Sequence, residues 1–178
     1  MHLSATELNG LSLEKLREVV NLVASQKEKA EELNVWRARV RWLGGFKGRA
    51  YVRNHSFIID EPADLAGVDT APNAVEYVLA ALGGCLTVGF VLNATKNNIK
   101  IDALEVSLEG RIDNILTFLG LSDEGHPGYR EITAKLYVRA SADQKTLEEV
   151  WRKTVETSPV GNTLSRTVRI IPQLSVVS

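Results

Sequence analysis

A single cysteine, Cys85, in 178 residues excludes an intrachain disulfide and any Cys-rich zinc site. Charge of one sign is lacking as well. The 21 Lys and Arg against 22 Asp and Glu leave a net −1 and a pI near 6.3, so the basic footprint of a dedicated nucleic-acid binder is missing. Long hydrophobic runs are scarce. The longest, Val78–Leu92, has 15 residues with Gly83-Gly84 and Thr87 inside it, short of the 18 or more of a membrane span. It is expected to be a buried core helix. Met1–Glu7 carries neither a basic nor an apolar segment of the kind that opens a secretory leader, and the expected compartment is the cytoplasm. No repeat or low-complexity tract occurs.

What is present is ordinary globular material: 44% hydrophobic and 24% charged residues in 19.6 kDa. That size suits one domain with a modest extension, and such a chain buries roughly 70% of its unfolded surface without metal or disulfide support. Residues 12–33 read as a helix, with Leu13, Leu16, Val19, Val20 and Val23 at three- and four-residue spacing. Its second half, from Gln26, is polar and can only be a solvated arm. Residues 35–42 alternate as a strand, Trp36, Ala38, Val40 and Trp42 against Arg37, Arg39 and Arg41. At net charge −1 the arginines are read as a wet sheet face with acidic partners across the strands. Gly44–Gly48 is expected to turn the chain back into one strand over 50–60, and 60–73 is a loop long enough to suggest a functional or interface role.

Asn73 with Glu76 three residues on forms a capping box for the apolar helix. Further strands are expected over 104–112 and 131–140, a helix capped by Ser141 with the stripe Leu147, Val150, Trp151 and Val155, and a last strand over 168–176 that Pro172 confines to an edge. The order α-β-β-α-β-β-α-β, with obvious hairpins and few helices, gives an α+β class with an antiparallel sheet.

The central helix is apolar on nearly every side, so it should be enclosed. Gly83 and Gly84 each cost it about 1 kcal/mol relative to Ala, and close approach of a second helix is the usual compensation. Too little of the chain remains to cover it, which implies a second subunit about a two-fold axis. Cys85 follows the glycine pair on the face of Val78, Leu82, Val88 and Leu92. It is either an inert buried thiol or a reactive one activated by a neighbouring cation, because it lies too deep for the helix dipole.

Three blocks then carry a resemblance: Phe57-Ile-Ile-Asp-Glu-Pro62, Ala71-Pro-Asn-Ala-Val-Glu-Tyr-Val-Leu-Ala-Ala-Leu-Gly-Gly-Cys85, and Ser158-Pro-Val-Gly-Asn-Thr-Leu164. Over residues 36–178 the chain resembles the OsmC/Ohr family, the osmotically inducible protein C and organic hydroperoxide resistance proteins. The resemblance implies an OsmC-like domain over 35–178 with a helical extension over 1–34. It further implies curved antiparallel sheets, a long buried central helix and an intertwined homodimer. For activity it implies thiol-dependent reduction of organic hydroperoxides in oxidative-stress defence. Cys85 matches the family's peroxidatic Cys, and Ser158 falls where the resolving Cys stands. The family Glu falls at Val75, with Glu76 beside it, and the family Arg falls near Phe46, with Lys47 and Arg49 close by.

Reduction of a peroxide needs positive charge on the departing oxygen. Arg49 and Arg53, on or just after the hairpin, are the candidates. Nine residues of straight helix separate Glu76 from Cys85 by ~14 Å and ~180°, so a shared site requires a helix break or a partner subunit. Ser158 cannot close a disulfide; it either hydrogen-bonds the sulfur or a ligand, or caps the helix end before Pro159. A sulfenic acid on Cys85 would then be resolved by an external thiol. The expectation is a one-cysteine organic hydroperoxide reductase needing no cofactor or metal. Its partners would be a second copy, the hydroperoxide and the reductant, with no nucleic acid or membrane. The alternative is a non-catalytic dimer of the same fold binding a small apolar ligand at the subunit interface. Phe46, Leu82 and Val160 are the apolar positions expected to line the substrate site.

Overall fold

The computed structural model describes residues 7–177. A short hairpin, β1 (Glu7–Leu8) and β2 (Leu11–Ser12), leads into α1 (Leu13–Ser25), whose first turn is capped by the Ser12 hydroxyl accepting from the Lys15 N–H. The expected continuous helix breaks at Gln26, which is extended (φ −122°, ψ 97°), and resumes as α2 (Lys27–Glu32). None of the α1 residues is buried; its apolar stripe stands open at Val19 and Val20.

β3 (Arg39–Gly44), β4 (Lys47–Val52) and β5 (His55–Ile59) form an antiparallel sheet in that order. Two sequence expectations change here. The first strand begins at Arg39 rather than Val35, because β4 is only six residues long and Tyr51 is the last residue it sets against β3. The strand expected over 50–60 is two strands, broken by a turn in which Arg53 takes a left-handed conformation (φ 56°). That turn folds β5 back so that Phe57 lies opposite Ala50.

The segment after β5 holds a single 3-10 turn, Ala63–Leu65. α3 (Ala74–Lys96) follows, then β6 (Ile101–Ile112), a four-residue α4 (Ile115–Phe118), β7 (Tyr129–Ala140), α5 (Gln144–Thr157) and α6 (Pro159–Ser165). β6 and β7 pair as a second sheet. They run antiparallel: the Asp113 N–H meets the Gly128 carbonyl at one end, and the Ser141 N–H meets the Lys100 carbonyl at the other. α5 is capped by Asp143, which accepts from the Thr146 N–H at 2.8 Å, and not by Ser141. The Ser141 hydroxyl accepts from the Lys100 N–H and fastens the sheet end instead.

Among the described residues no regular structure follows Arg166, so the expected last strand is not formed. The alternation there is real, yet no described strand lies opposite it, and Ile170 and Leu174 are 86% and 88% exposed.

The chain divides into two compact units, one running up to Ala80 and taking in Leu108–Thr133, the other comprising Ala81–Ser107 and Ala134–Ser178. The second unit holds the main core. Phe90, Ala94, Ile99 and Val150 are buried together, with Leu104, Leu136, Val138, Leu147 and Trp151 against them. Gly89 permits the close approach of α5: a Cβ there would sit 3.1 Å from the Thr154 Cγ2.

Within the single chain α3 is enclosed on one side only. Its buried residues, Leu82, Gly83, Leu86, Phe90, Ala94 and Thr95, make one stripe. Ala81, Gly84 and Val88 stand open, Val88 at 69% exposure. By length and composition α3 could also cross a membrane: its most apolar 18-residue window has mean hydropathy 1.9, with 22% of it buried.

Candidate functional site

Cys85 is the twelfth residue of α3, on the border between the buried and open stripes: Leu82, one turn before it, is buried, and Val88, one turn after it, is exposed. The face shared by Leu82, Cys85 and Val88 therefore runs from the buried side to the open side. Cys85 is half-buried and free of any disulfide. α5 ends at Thr157, and α6 begins at Pro159 after a single intervening residue. The junction is sharp because Pro159 at the first position of α6 cannot donate to α5.

Ser158, between the two helices, is 3% exposed. Its hydroxyl donates to the Cys85 Sγ at 3.2 Å and accepts from the Gly161 N–H at 3.0 Å. Of the two roles left open by the sequence, the hydroxyl takes the bond to the sulfur; the helix end before Pro159 is closed by the Ser158 backbone N–H on the Val155 carbonyl, and the hydroxyl caps the start of α6 instead. A hydroxyl has one proton and two lone pairs, so it caps a helix and addresses the sulfur at once. Gly161 is part of the arrangement: a Cβ there would meet the Ser158 Oγ at 3.1 Å, with the Leu82 Cδ1 at 3.8 Å. Leu82 thus lies beside the Cys85–Ser158 pair, and Val160, in the first turn of α6, is half-buried. Gly161 was not singled out in the sequence; the small residue three places after an N-cap serine was its only signal.

The other expected site residues lie in the first unit. Asn73 and Glu76 make the reciprocal capping box: the Asn73 Oδ1 accepts from the Glu76 N–H at 2.9 Å, and the Glu76 Oε2 accepts from the Asn73 N–H at 2.8 Å. The Glu76 carboxylate is thus engaged with its own helix end. Arg49 is exposed on β4, directly opposite Arg41. Arg53 is exposed in the β4–β5 turn. Phe46, in the β3–β4 turn, is 62% exposed.

Lys47 reaches Asp60 at 3.8 Å. Asp60, 1% exposed, organises the loop before α3: its carboxylate accepts from the Thr70 hydroxyl (2.6 Å), the Thr70 N–H (3.0 Å) and the Glu61 N–H (2.9 Å). These bonds, those from Thr70 foremost, favour the charged form against burial and hold the Asp60 pKa down at about 2. The long loop is therefore a folded brace for the start of α3. Tyr129 adds to it, donating to the Val75 carbonyl at 3.0 Å; burial, and secondarily Glu76, push its phenol up. Among the described residues no three His, Cys, Asp or Glu side chains cluster as a metal site.

Residues 67–172 match the sequence model of the family described as OsmC-like protein. The chain belongs to the OsmC-like protein family. Solved structures agree on the OsmC fold. The OsmC-like protein from Mycoplasma pneumoniae superposes with TM-score 0.63 at 17% identity, over 74% of this chain and 87% of that one. An organic hydroperoxide resistance protein OsmC from Legionella pneumophila gives 0.56 at 16% identity, over 73% and 88%. The organic hydroperoxide resistance protein from Elizabethkingia anophelis gives 0.53 at 17%, over 72% and 86%. Among curated proteins none matches. In OsmC terms, the central helix carries Cys85, and the chain places a serine hydroxyl against its sulfur.

Proposed function

We propose that this OsmC-like protein is a one-cysteine thiol peroxidase for organic hydroperoxides, acting in the cytoplasm in oxidative-stress defence. The observation that carries the reading is the 3.2 Å contact between the Ser158 hydroxyl and the Cys85 sulfur, formed where the family resemblance puts a second cysteine. The thiolate attacks the outer peroxide oxygen, the O–O bond breaks, and the alkoxide takes a proton and leaves as an alcohol. The sulfur, oxidised to sulfenic acid, condenses with an external thiol and releases water. A second thiol then displaces the mixed disulfide and restores Cys85. Ser158 donates to the sulfur in its anionic form and cannot itself resolve the sulfenic acid. Arg49 or Arg53 supplies the positive charge that the leaving oxygen requires.

The working unit in this reading is a homodimer of the 35–178 domain, with 1–34 as an extension. Two features support it. Ala81, Gly84 and Val88 form an open apolar stripe on α3 with nothing within 4 Å of a Cβ built at Gly84. The C-terminal segment alternates like a strand and has no partner among the described residues.

A second reading, a non-catalytic dimer binding a small apolar ligand, is favoured by Phe46, exposed where the resemblance puts a cation. Cumene hydroperoxide consumption with dithiothreitol separates the two. Wild type is expected to consume peroxide and thiol in step, and Cys85→Ser to stay at background. Equal background rates in both would leave the binding reading in place.

A further inference from the structure

The β3–β4–β5 sheet carries arginines on one face, and among the described residues no carboxylate pairs with them. Its register sets Arg41 directly opposite Arg49, and Arg39 opposite Tyr51; Ile58 and Ser56 continue these two rows on β5. The acidic cross-strand partners expected from the sequence are therefore absent from these rows. Lys47–Asp60, Lys100–Asp102 and Arg152–Glu156 form ion pairs, and none of these involves Arg39, Arg41 or Arg49. All three are exposed. The other face of the sheet carries Val40, Ala50 and Phe57, and Phe57 packs on Tyr77 of α3 with ring centres 4.9 Å apart. The arginine face is thus the one turned away from α3's first turns.

Directly opposed like charges weaken a sheet, with Cα atoms only about 4.5–5.5 Å apart. Arg39 lies one strand period, ~7 Å, further along the same edge strand. Its guanidinium carbon lies over the Tyr51 ring, 5.3 Å from the centroid, a cation–π contact that uses the charge and not the N–H donors as hydrogen-bond partners. With a net charge of −1 for the whole chain, the cluster is a local concentration and not a general basicity.

We propose that this face binds a small oligophosphate. Arg41 and Arg49 grip one phosphoryl group between them, and Arg39 takes the next. A phosphoryl group offers several strong acceptor oxygens and nearly two charges, and arginine forks match it in bidentate fashion. The three Cα atoms lie about 5 by 7 Å apart, close enough for their long side chains to converge on two linked phosphoryl groups. The cluster is too small for duplex nucleic acid, where tight binders neutralise roughly 6–10 phosphates. The proposal shares Arg49 with the peroxidase reading, so Arg49 is kept out of the variants, and binding is read without reference to peroxidase activity.

The test is calorimetric titration of the full chain with inorganic tripolyphosphate at low and moderate salt. Saturable binding that weakens with salt is expected. The double variant Arg39→Ala/Arg41→Ala is expected to lose at least about tenfold in affinity, and Arg152→Ala to lose none. Arg41→Lys keeps the charge but not the fork, and is expected to lose several-fold; it serves as the reading if the double variant does not fold. The proposal is overturned if wild type shows no binding at about 1 mM ligand, or if all variants bind equally. It is also overturned if phosphatidylserine vesicles or a poly-glutamate peptide bind more tightly than tripolyphosphate.

Discussion

Replacing Ser158 by Cys turns the hydroxyl–sulfur contact into a redox-dependent stability switch. The two side chains meet at 3.2 Å although they are 73 residues apart in sequence. A C–S bond is longer than a C–O bond, so the new sulfur starts closer to Cys85, and a small χ1 rotation brings the pair to the ~2.05 Å of a disulfide. Closing a loop of about 74 residues removes roughly 4.4 kcal/mol of chain entropy from the unfolded state. Against this, Cys is a poor N-cap, and the bond from the Gly161 N–H to the Ser158 Oγ is lost, which costs about 1 kcal/mol. Oxidised Ser158→Cys should therefore gain about 3 kcal/mol before strain, or ~6–12 °C in Tm for a chain of this length. Its reduced form should fall by about 2–4 °C. Thermal unfolding with diamide and with dithiothreitol, alongside mass spectrometry of the alkylated protein, reads both signs. If no intramolecular disulfide forms under oxidant, or if the melting point ignores the redox state, the Cys85–Ser158 geometry and the reasoning built on it fail.

The capping box predicts that Asn73→Ala costs about 1 kcal/mol, measurable by urea unfolding, while Glu76→Gln, which keeps an acceptor, costs less; equal effects would refute the reciprocal bond. For Asp60 the folded pKa lies below the unfolded one, so its stabilising effect is complete above about pH 5 and is lost as pH falls through 4 towards 2. Asp60→Asn should flatten that part of the acid-unfolding curve, and an unchanged acid limb would contradict it. A Cβ at Gly67 would fall on the Glu61 backbone carbonyl, the acceptor for the Asp69 N–H. No side-chain rotation relieves such a clash, so Gly67→Ala should destabilise by ~3 kcal/mol or more in a denaturant titration. Light scattering of the full chain should give twice 19.6 kDa if the open stripe of α3 is covered by a second copy; a monomer at micromolar concentration would remove the dimer from the proposal.

Local chemistry was legible where it is self-contained. The Asn73–Glu76 box, the start of α3, and the alternation in β6 and β7 could be read because each depends on residues within a few positions of one another. The turn at Arg53 was not, since Arg is no turn former and the left-handed conformation it adopts is imposed by pairing of β4 with β5. Asp143 outcompeted Ser141 as the α5 cap because Ser141 is occupied at Lys100, forty-one residues away. The brace around Asp60 was hidden for the same reason: its partner Thr70 is ten residues distant in a stretch with no periodicity.

The amino-acid order by itself determined that this chain is an α+β protein of the OsmC-like family with one thiol on a central apolar helix. Helix caps, strand alternation and a conspicuous glycine-cysteine block are written in neighbouring residues, and their energies act over a few ångströms of chain. Only the folded arrangement decided that Ser158 faces the sulfur while capping α6, that Arg41 confronts Arg49 without a carboxylate, and that one stripe of α3 stands open. Each of those depends on which segments, tens of residues apart, come to lie against each other.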